Sequence, residues 1–234
     1  MCLCLCSVLG IILAFDSKKA ATTIQPLLVA YADMCEAGLD VNVALLTAHR
    51  SNWTRALRSF TTKYHCARIN ASIGLQVNSF NRSLGIYLAG MNRDILRDNV
   101  DKYDMFVYQE EDMVVKSADV LRYATESSKL RALQPVRPKN DGFNKYMIGF
   151  IRVFQHTPTQ SYLIEKPLME PVCMTKNNHN ALSVKEAGAA ARAVASEPYI
   201  VLKGNTHQGM FVMTQQELRM LNDRCNFFDQ NKFK

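Results

Sequence analysis

The chain has 234 residues, of which 48% are apolar and 21% charged, a globular composition that excludes wholesale disorder and a long coiled coil. Its formal charge of +7 suits anionic partners such as nucleotides, phosphate esters or a membrane surface. The basic residues are dispersed, with only Lys18-Lys19 and Arg137-Pro138-Lys139 close together, and no recognition motif accompanies them. Nucleic acid is therefore not an expected partner.

In chain order, the first feature is a nearly unbroken apolar run from Cys2 to Phe15, interrupted by Ser7 and Gly10 and closed by Asp16. It falls short of the ~20 residues that span a bilayer. A signal peptide would carry a basic segment ahead of it, and only Met1 precedes it. A buried parallel strand over Val8 to Phe15 is the favoured reading, with residues 1–7 as a leader or disordered start. A signal or membrane anchor is the alternative, and through it membrane association stays open. From Asp16 to Ala37, the residues Ile24, Leu27, Leu28, Tyr31 and Met34 recur at helical spacing, and Gly38 stands where a C-cap belongs.

Val41 to Thr47 reads as a short strand, Ser51 to Tyr64 as a helix and Ile73 to Phe80 as a strand. Ile86 to Val100 reads as a helix, at least from Met91. Tyr103 to Tyr108 is a strongly apolar strand, and Ser117 to Leu133 a helix rich in good formers. Pro135 to Asn144 is a loop by its Pro, Asn and Gly content. Strands follow at Lys145 to Phe154 and Ser161 to Glu165, a polar loop at Lys176 to Asn180, and an Ala-rich helix at Ser183 to Ala195. Short strands at Tyr199 to Leu202 and Met210 to Met213 precede a last helix, which Thr214 would cap with Glu217 completing a capping box.

Strands separated by helices predict an α/β fold, a mostly parallel sheet wrapped by helices. Such sheets gather ligands at the carboxyl ends of their strands. Asp16, Thr47 and the residues just after Tyr108 are thus the first places to look. The division expected is a ligand-binding half over 8–133 and a smaller, less regular half over 134–234.

The seven cysteines are odd in number and lack zinc spacing. They do not make a disulfide scaffold, and one or two bridges remain open. Sequons at Asn52, Asn70 and Asn81 lean toward a secretory route. The five histidines have no metal-ligand spacing, and no P-loop, Rossmann glycine fingerprint or Gly-x-Ser-x-Gly occurs. These absences remove the main support for ATPase, dinucleotide dehydrogenase and serine hydrolase readings.

The stretch that carries chemistry is Tyr103-Asp104-Met105-Phe106-Val107-Tyr108-Gln109-Glu110-Glu111-Asp112-Met113-Val114-Val115. A buried strand runs straight into three consecutive acids. Carboxylates gathered at a ligand edge need compensation, and a hard cation supplies it while bridging to phosphates. If the segment stays extended, Glu110 and Asp112 point to one side and Glu111 to the other. The plain alternative is a solvated acidic turn before a helix, where acids also favour the helix N-terminus.

The order of elements and this stretch resemble the GT-A glycosyltransferases, whose DxD-type motif follows a strand in the same way. Tyr103 to Val115 is similar to the "YDxFIYxEDDxxI" form of that motif, with Glu111 in place of its central Asp. Ile11 to Asp16 resembles the family's first strand, and Val41 to Thr47 its second. Arg93 is retained from a His-Arg pair, Gly149-Phe150-Ile151-Arg152 resembles a "GFLR" segment, and His207 to Thr214 resembles a "YxGxWILT" stretch. The likeness spans about residues 8 to 225.

The resemblance implies a GT-A fold with a Rossmann-like nucleotide-binding half. It implies a glycosyltransferase that moves a sugar from a UDP- or GDP-sugar to an acceptor hydroxyl of a glycan or glycoprotein in the Golgi or ER. Mn²⁺ or Mg²⁺ would be the cofactor, held through Glu110, Glu111 and Asp112. Phe15, Asp16, Thr47 and Arg93 would bind the nucleotide. Arg152, His207, Gln208 and Gly209 would line the acceptor side. Glu165, Glu170, Glu197 and Glu217 are the carboxylates available as a base. The rival expectation is an inactive scaffold of the same fold, or a fragment truncated at its C-terminus, since many GT-A domains continue past the point matching Lys234.

Overall fold

The computed structural model describes residues 6–15, 20–48, 65–66, 71–133, 153–155, 162–164 and 209–229. The predicted helices over Ser51 to Tyr64 and Ser183 to Ala195, and the strand over Tyr199 to Leu202, lie outside these residues. So do most of Lys145 to Phe154 and the chain start through residue 5. The chain divides into two compact units, Met1–Leu121 with Gly209–Lys234, and Arg122–Gln208.

The first unit is built on β1 (Ser7–Ala14), α1 (Ala20–Glu36), β2 (Asp40–Thr47), β3 (His65–Cys66), β4 (Ala71–Ser72) and β5 (Gly74–Ser79). A 3-10 helix (Arg82–Met91), α2 (Asn92–Asn99), β6 (Met105–Glu110) and the start of α3 (Ser117–Leu133) follow. The chain returns to this unit with β9 (Met210–Thr214) and α4 (Gln215–Cys225). The second unit contains β7 (Val153–Gln155) and β8 (Tyr162–Ile164), an antiparallel pair with Phe154 opposite Leu163.

The apolar run of β1 is a central strand. Its strand order, β5-β2-β1-β6-β9, gives it a partner on each side. The strands β5, β2, β1 and β6 are parallel, and β9 closes the edge antiparallel to β6. A parallel strand covered on both faces has no solvent side, which is why Val8 to Ala14 lacks polar alternation. The fold is thus α/β with a mixed five-stranded sheet.

One face of the sheet presents Leu9, Ile11, Leu13, Ala44, Leu46, Phe106 and Tyr108 to Leu88 of the 3-10 helix, Leu96 of α2 and Leu218 of α4. The other face meets α1, whose Tyr31 ring lies on Gly10 so closely that a Cβ there would overlap it. Helix α1 buries Ile24, Leu27, Leu28, Tyr31 and Met34, the spacing read from the sequence. It ends at Gly38, whose φ of 98° is left-handed and suits glycine. Cys35, in the last turn of α1, is bridged to Cys66 of β3, and both are buried.

Two predicted boundaries change. The helix expected over Ile86 to Val100 is a 3-10 helix through Met91 and an α-helix only from Asn92. Gly85 and Gly90 lower α-helical preference there, and Asn81 caps the segment five residues earlier than expected. The strand expected over Tyr103 to Tyr108 runs instead from Met105 to Glu110. Asp104, just ahead of it, accepts hydrogen bonds from both Ser7 N and Ser7 Oγ at 2.8 Å and fixes the register of β6 on β1. Among the described residues, no helix is long and apolar enough to cross a membrane.

Candidate functional site

Strands β2 and β5 extend the sheet on one side of β1, and β6 extends it on the other. The order therefore reverses between β1 and β6. At such a point the connections leave in opposite directions and open a crevice at the carboxyl ends of the strands. The register brings Leu13 beside Glu110 and Ala14 beside Thr47. The last residues of β1, β2 and β6 thus stand side by side, with Phe15, 40% exposed, just beyond β1.

Side-chain direction separates these residues. Alternation places Glu110 on the face of Leu13 and Tyr108, and Thr47 on the opposite face. Thr47 is fully buried. The expectation that it binds the nucleotide finds no exposed surface at its side chain. Glu110, the last residue of β6, is half-buried.

The extended geometry expected of the acids is not found. Met113 N donates to Glu110 O at 3.1 Å, so Glu111 and Asp112 form a turn. At the end of the strand Glu110 N donates to Gly209 O at 3.0 Å, just ahead of β9. Met113 and Val115 are buried and anchor the turn, while Asp112 is exposed and Glu111 half-buried. Among the described residues no group of three or more His, Cys, Asp or Glu side chains is placed to share a metal ion. A hard cation that draws its remaining ligands from phosphate oxygens needs only one or two carboxylates. Glu110 and Asp112 are the two carboxylates at the two ends of the turn.

Gly209 is the residue of the expected acceptor side that the structure describes, and it lies directly against Glu110. Arg152, His207 and Gln208 lie outside the described residues, as does Asp16. Arg93 packs on an aromatic ring, its guanidinium carbon 4.9 Å from the centre of the Phe227 ring. It is half-buried, and burial lowers its pKa. Such cation–π stacking gives Arg93 a packing role that sequence alone did not reveal. Glu217 is 3% exposed, with its carboxylate on Thr214 N at 2.8 Å and Thr214 Oγ1 at 2.9 Å. It is the capping-box residue of α4, which withdraws it from the candidate bases.

Two residues near the crevice were not singled out from sequence. Tyr108 stacks on Phe211 with centroids 5.1 Å apart, and burial first and the Glu110 charge second raise the pKa of its hydroxyl. Gln109 is 1% exposed, and neither its Oε1 nor its Nε2 has a hydrogen-bond partner. An amide directly after the apolar stretch Met105 to Tyr108 was the available signal. Beside the acidic turn lies an open groove of about 730 Å³, lined by Pro26, Val29 and Ala30 of α1 and by Val114, Ser117 and Ala118.

Neither the protein-family models nor the curated proteins with which the sequence was compared give a match.

Proposed function

We propose that the chain is a GT-A-like glycosyltransferase domain that binds a nucleotide-diphosphate sugar at the carboxyl edge between β1 and β6. The observation that carries this reading is the reversal of strand order between β1 and β6 with Glu110 as the last residue of β6. Sheets of this kind bind ligands at that point, and a carboxylate there calls for a cation when the ligand is a diphosphate. Glu110 and Asp112 would hold Mn²⁺ or Mg²⁺ with the diphosphate, and Phe15 offers an exposed aromatic surface to the base. When bound, the ion stabilises the charge of the leaving diphosphate. The acceptor is proposed to be a glycan or glycoprotein hydroxyl, and the compartment the Golgi or ER.

Isothermal titration of the purified chain with UDP and with GDP, each with Mn²⁺ and with a chelator, tests the reading. The expected result is Mn²⁺-dependent binding of one nucleotide, weakened at least tenfold in Asp112→Ala and Glu110→Gln. A folded chain that binds neither nucleotide would overturn it. That result would favour the second reading, a catalytically inactive GT-A-like interaction protein. The stacking of Arg93 on Phe227 and the spread of the three acids along a turn support that alternative.

A further inference from the structure

We propose that Asn81 is an acceptor for N-linked glycosylation, and that the chain matures where Cys35 and Cys66 are oxidised. This inference does not depend on the glycosyltransferase reading. Asn81-Arg82-Ser83 has the acceptor spacing, with a non-proline residue between Asn and Ser. Three sequons occur in the chain, and spacing alone does not separate a used site from an idle one. The structure supplies the distinction at Asn81.

Asn81 and Ser83 are both exposed. Asn81 precedes the 3-10 helix with extended backbone, φ −69° and ψ 136°, and its Oδ1 accepts from Ser83 N at 3.0 Å. The cap therefore engages the carbonyl oxygen of the amide and leaves the work of attachment to the other atom, Nδ2. A glycan on Nδ2 keeps Oδ1 as an acceptor, so modification and capping are compatible. In a 3-10 helix residues three apart share a face, so Leu84 and Tyr87 follow Asn81 along one side. Tyr87 is 68% exposed, and a glycan rooted at Asn81 would extend over that ring.

A second, independent observation concerns the compartment. The bridged Cys35 and Cys66 are only 1% and 2% exposed. Structural bridges of this kind form in the oxidising lumen of the secretory route and are rare in the cytosol. The same lumen holds the co-reactant, an oligosaccharide carried on a lipid diphosphate. In the transfer a bond forms between Asn81 Nδ2 and the anomeric carbon. The anomeric carbon–oxygen bond to the lipid diphosphate breaks and its electron pair leaves with the phosphate. Nδ2 gives up one proton, and nothing is oxidised or reduced.

The test is site-resolved peptide mapping of the full chain from eukaryotic cells, with enzymatic deglycosylation in heavy-oxygen water to mark each used Asn. Wild type and Ser83→Thr are expected to carry the mark at residue 81, with the Cys35–Cys66 peptide pair linked. Asn81→Asp and Ser83→Ala are expected to lose it completely. Both variants keep the cap, since Asp retains the acceptor oxygen and the cap uses the backbone of Ser83, so loss is not a folding defect. An unmarked Asn81 overturns the proposal, whether the bridge is closed or the thiols are found reduced in the cytosol. A mark that persists in Ser83→Ala overturns it as well. Appending a cleavable secretory signal to the same chain shows which part failed, the acceptor site or the compartment.

Discussion

The carboxylate of Glu110 occupies the space into which a side chain at position 209 would grow. A Cβ on Gly209 would meet Glu110 Cδ and Oε2 at 2.7 Å and the Met113 methyl at 2.8 Å. The backbone at 209 is also left-handed, with φ +54°. Glycine is favoured there for two separate reasons, the close approach of Glu110 and Met113 and the left-handed backbone.

Gly209→Ala is accordingly expected to lower stability by roughly 1–2 kcal/mol through the left-handed backbone alone. It also displaces the Glu110 carboxylate or the Met113 side chain, since contacts this close must relax. Nucleotide affinity in the presence of Mn²⁺ should fall about tenfold, the effect of a shift worth ~1.4 kcal/mol. Calorimetric unfolding and titration measure the two effects. Wild-type values in both would show that position 209 does not shape the crevice.

The parts of the fold that were legible in the sequence rest on local chemistry. The apolar run of β1, the helical spacing of α1, Gly38 at its end and the Thr-x-x-Glu box at Thr214 and Glu217 each follow from side chains a few residues apart. What was not legible depends on pairing across the sheet. Whether β6 ends at Tyr108 or Glu110 is decided by Gln109 opposite Met210 and by Glu110 N on Gly209 O, and both partners lie far along the chain. That decision turned an expected extended acidic segment into a strand end followed by a turn. Thr47 was placed correctly at the end of β2, but its face was set by register with β1, and that face is the buried one. Arg93 was read by motif position, and its partner Phe227 comes from the far end of the chain. The Cys35–Cys66 pairing could not be chosen from seven cysteines, because only the packing of α1 on β3 brings those two together.

Gln109 gives a prediction of opposite sign to most core substitutions. A buried amide without partners has lost its hydration and gained nothing for it. Replacing it with an apolar group of similar size removes that penalty. Gln109→Leu is expected to raise stability by about 1 kcal/mol, read as a higher denaturant midpoint at unchanged slope. Destabilisation would mean that the amide holds an ordered water or a ligand group that the leucine cannot replace.

The bridge between Cys35 and Cys66 closes a span of 31 residues. Restricting the unfolded chain over a loop of that length is worth about 3–4 kcal/mol in the chain-entropy treatment. Cys35→Ser/Cys66→Ser is expected to lower stability by roughly that amount, less any relief of native strain. Reductant should destabilise the wild type and leave the double variant unchanged. Equal sensitivity of both proteins to reductant would show that the pair is not bridged in solution.

Cys6 makes stability fall at alkaline pH. Its thiol is pushed from the ordinary 9.0 up to about 11, first by burial and second by the Asp104 carboxylate. Asp104 is fixed close by through its two bonds to Ser7. A raised pKa means that the folded chain holds the proton more firmly than the unfolded one. Below pH 9.0 both states keep it, and the contribution to stability is complete. Between 9.0 and about 11 the unfolded thiol ionises while the folded one does not, so stability drains away over that window. Above it both states are ionised and the loss levels off. Tyr31 and Tyr108, also raised by burial, lose stability in strong alkali by the same logic. The comparison that isolates Cys6 is therefore the wild type against Cys6→Ala, followed by denaturant titration from neutral pH upward. The stability difference between the two should stay constant to pH 9.0 and then change steadily in favour of the variant until about pH 11. A difference that remains flat across the window would mean that the Cys6 thiol is as free to ionise in the folded chain as in the unfolded one.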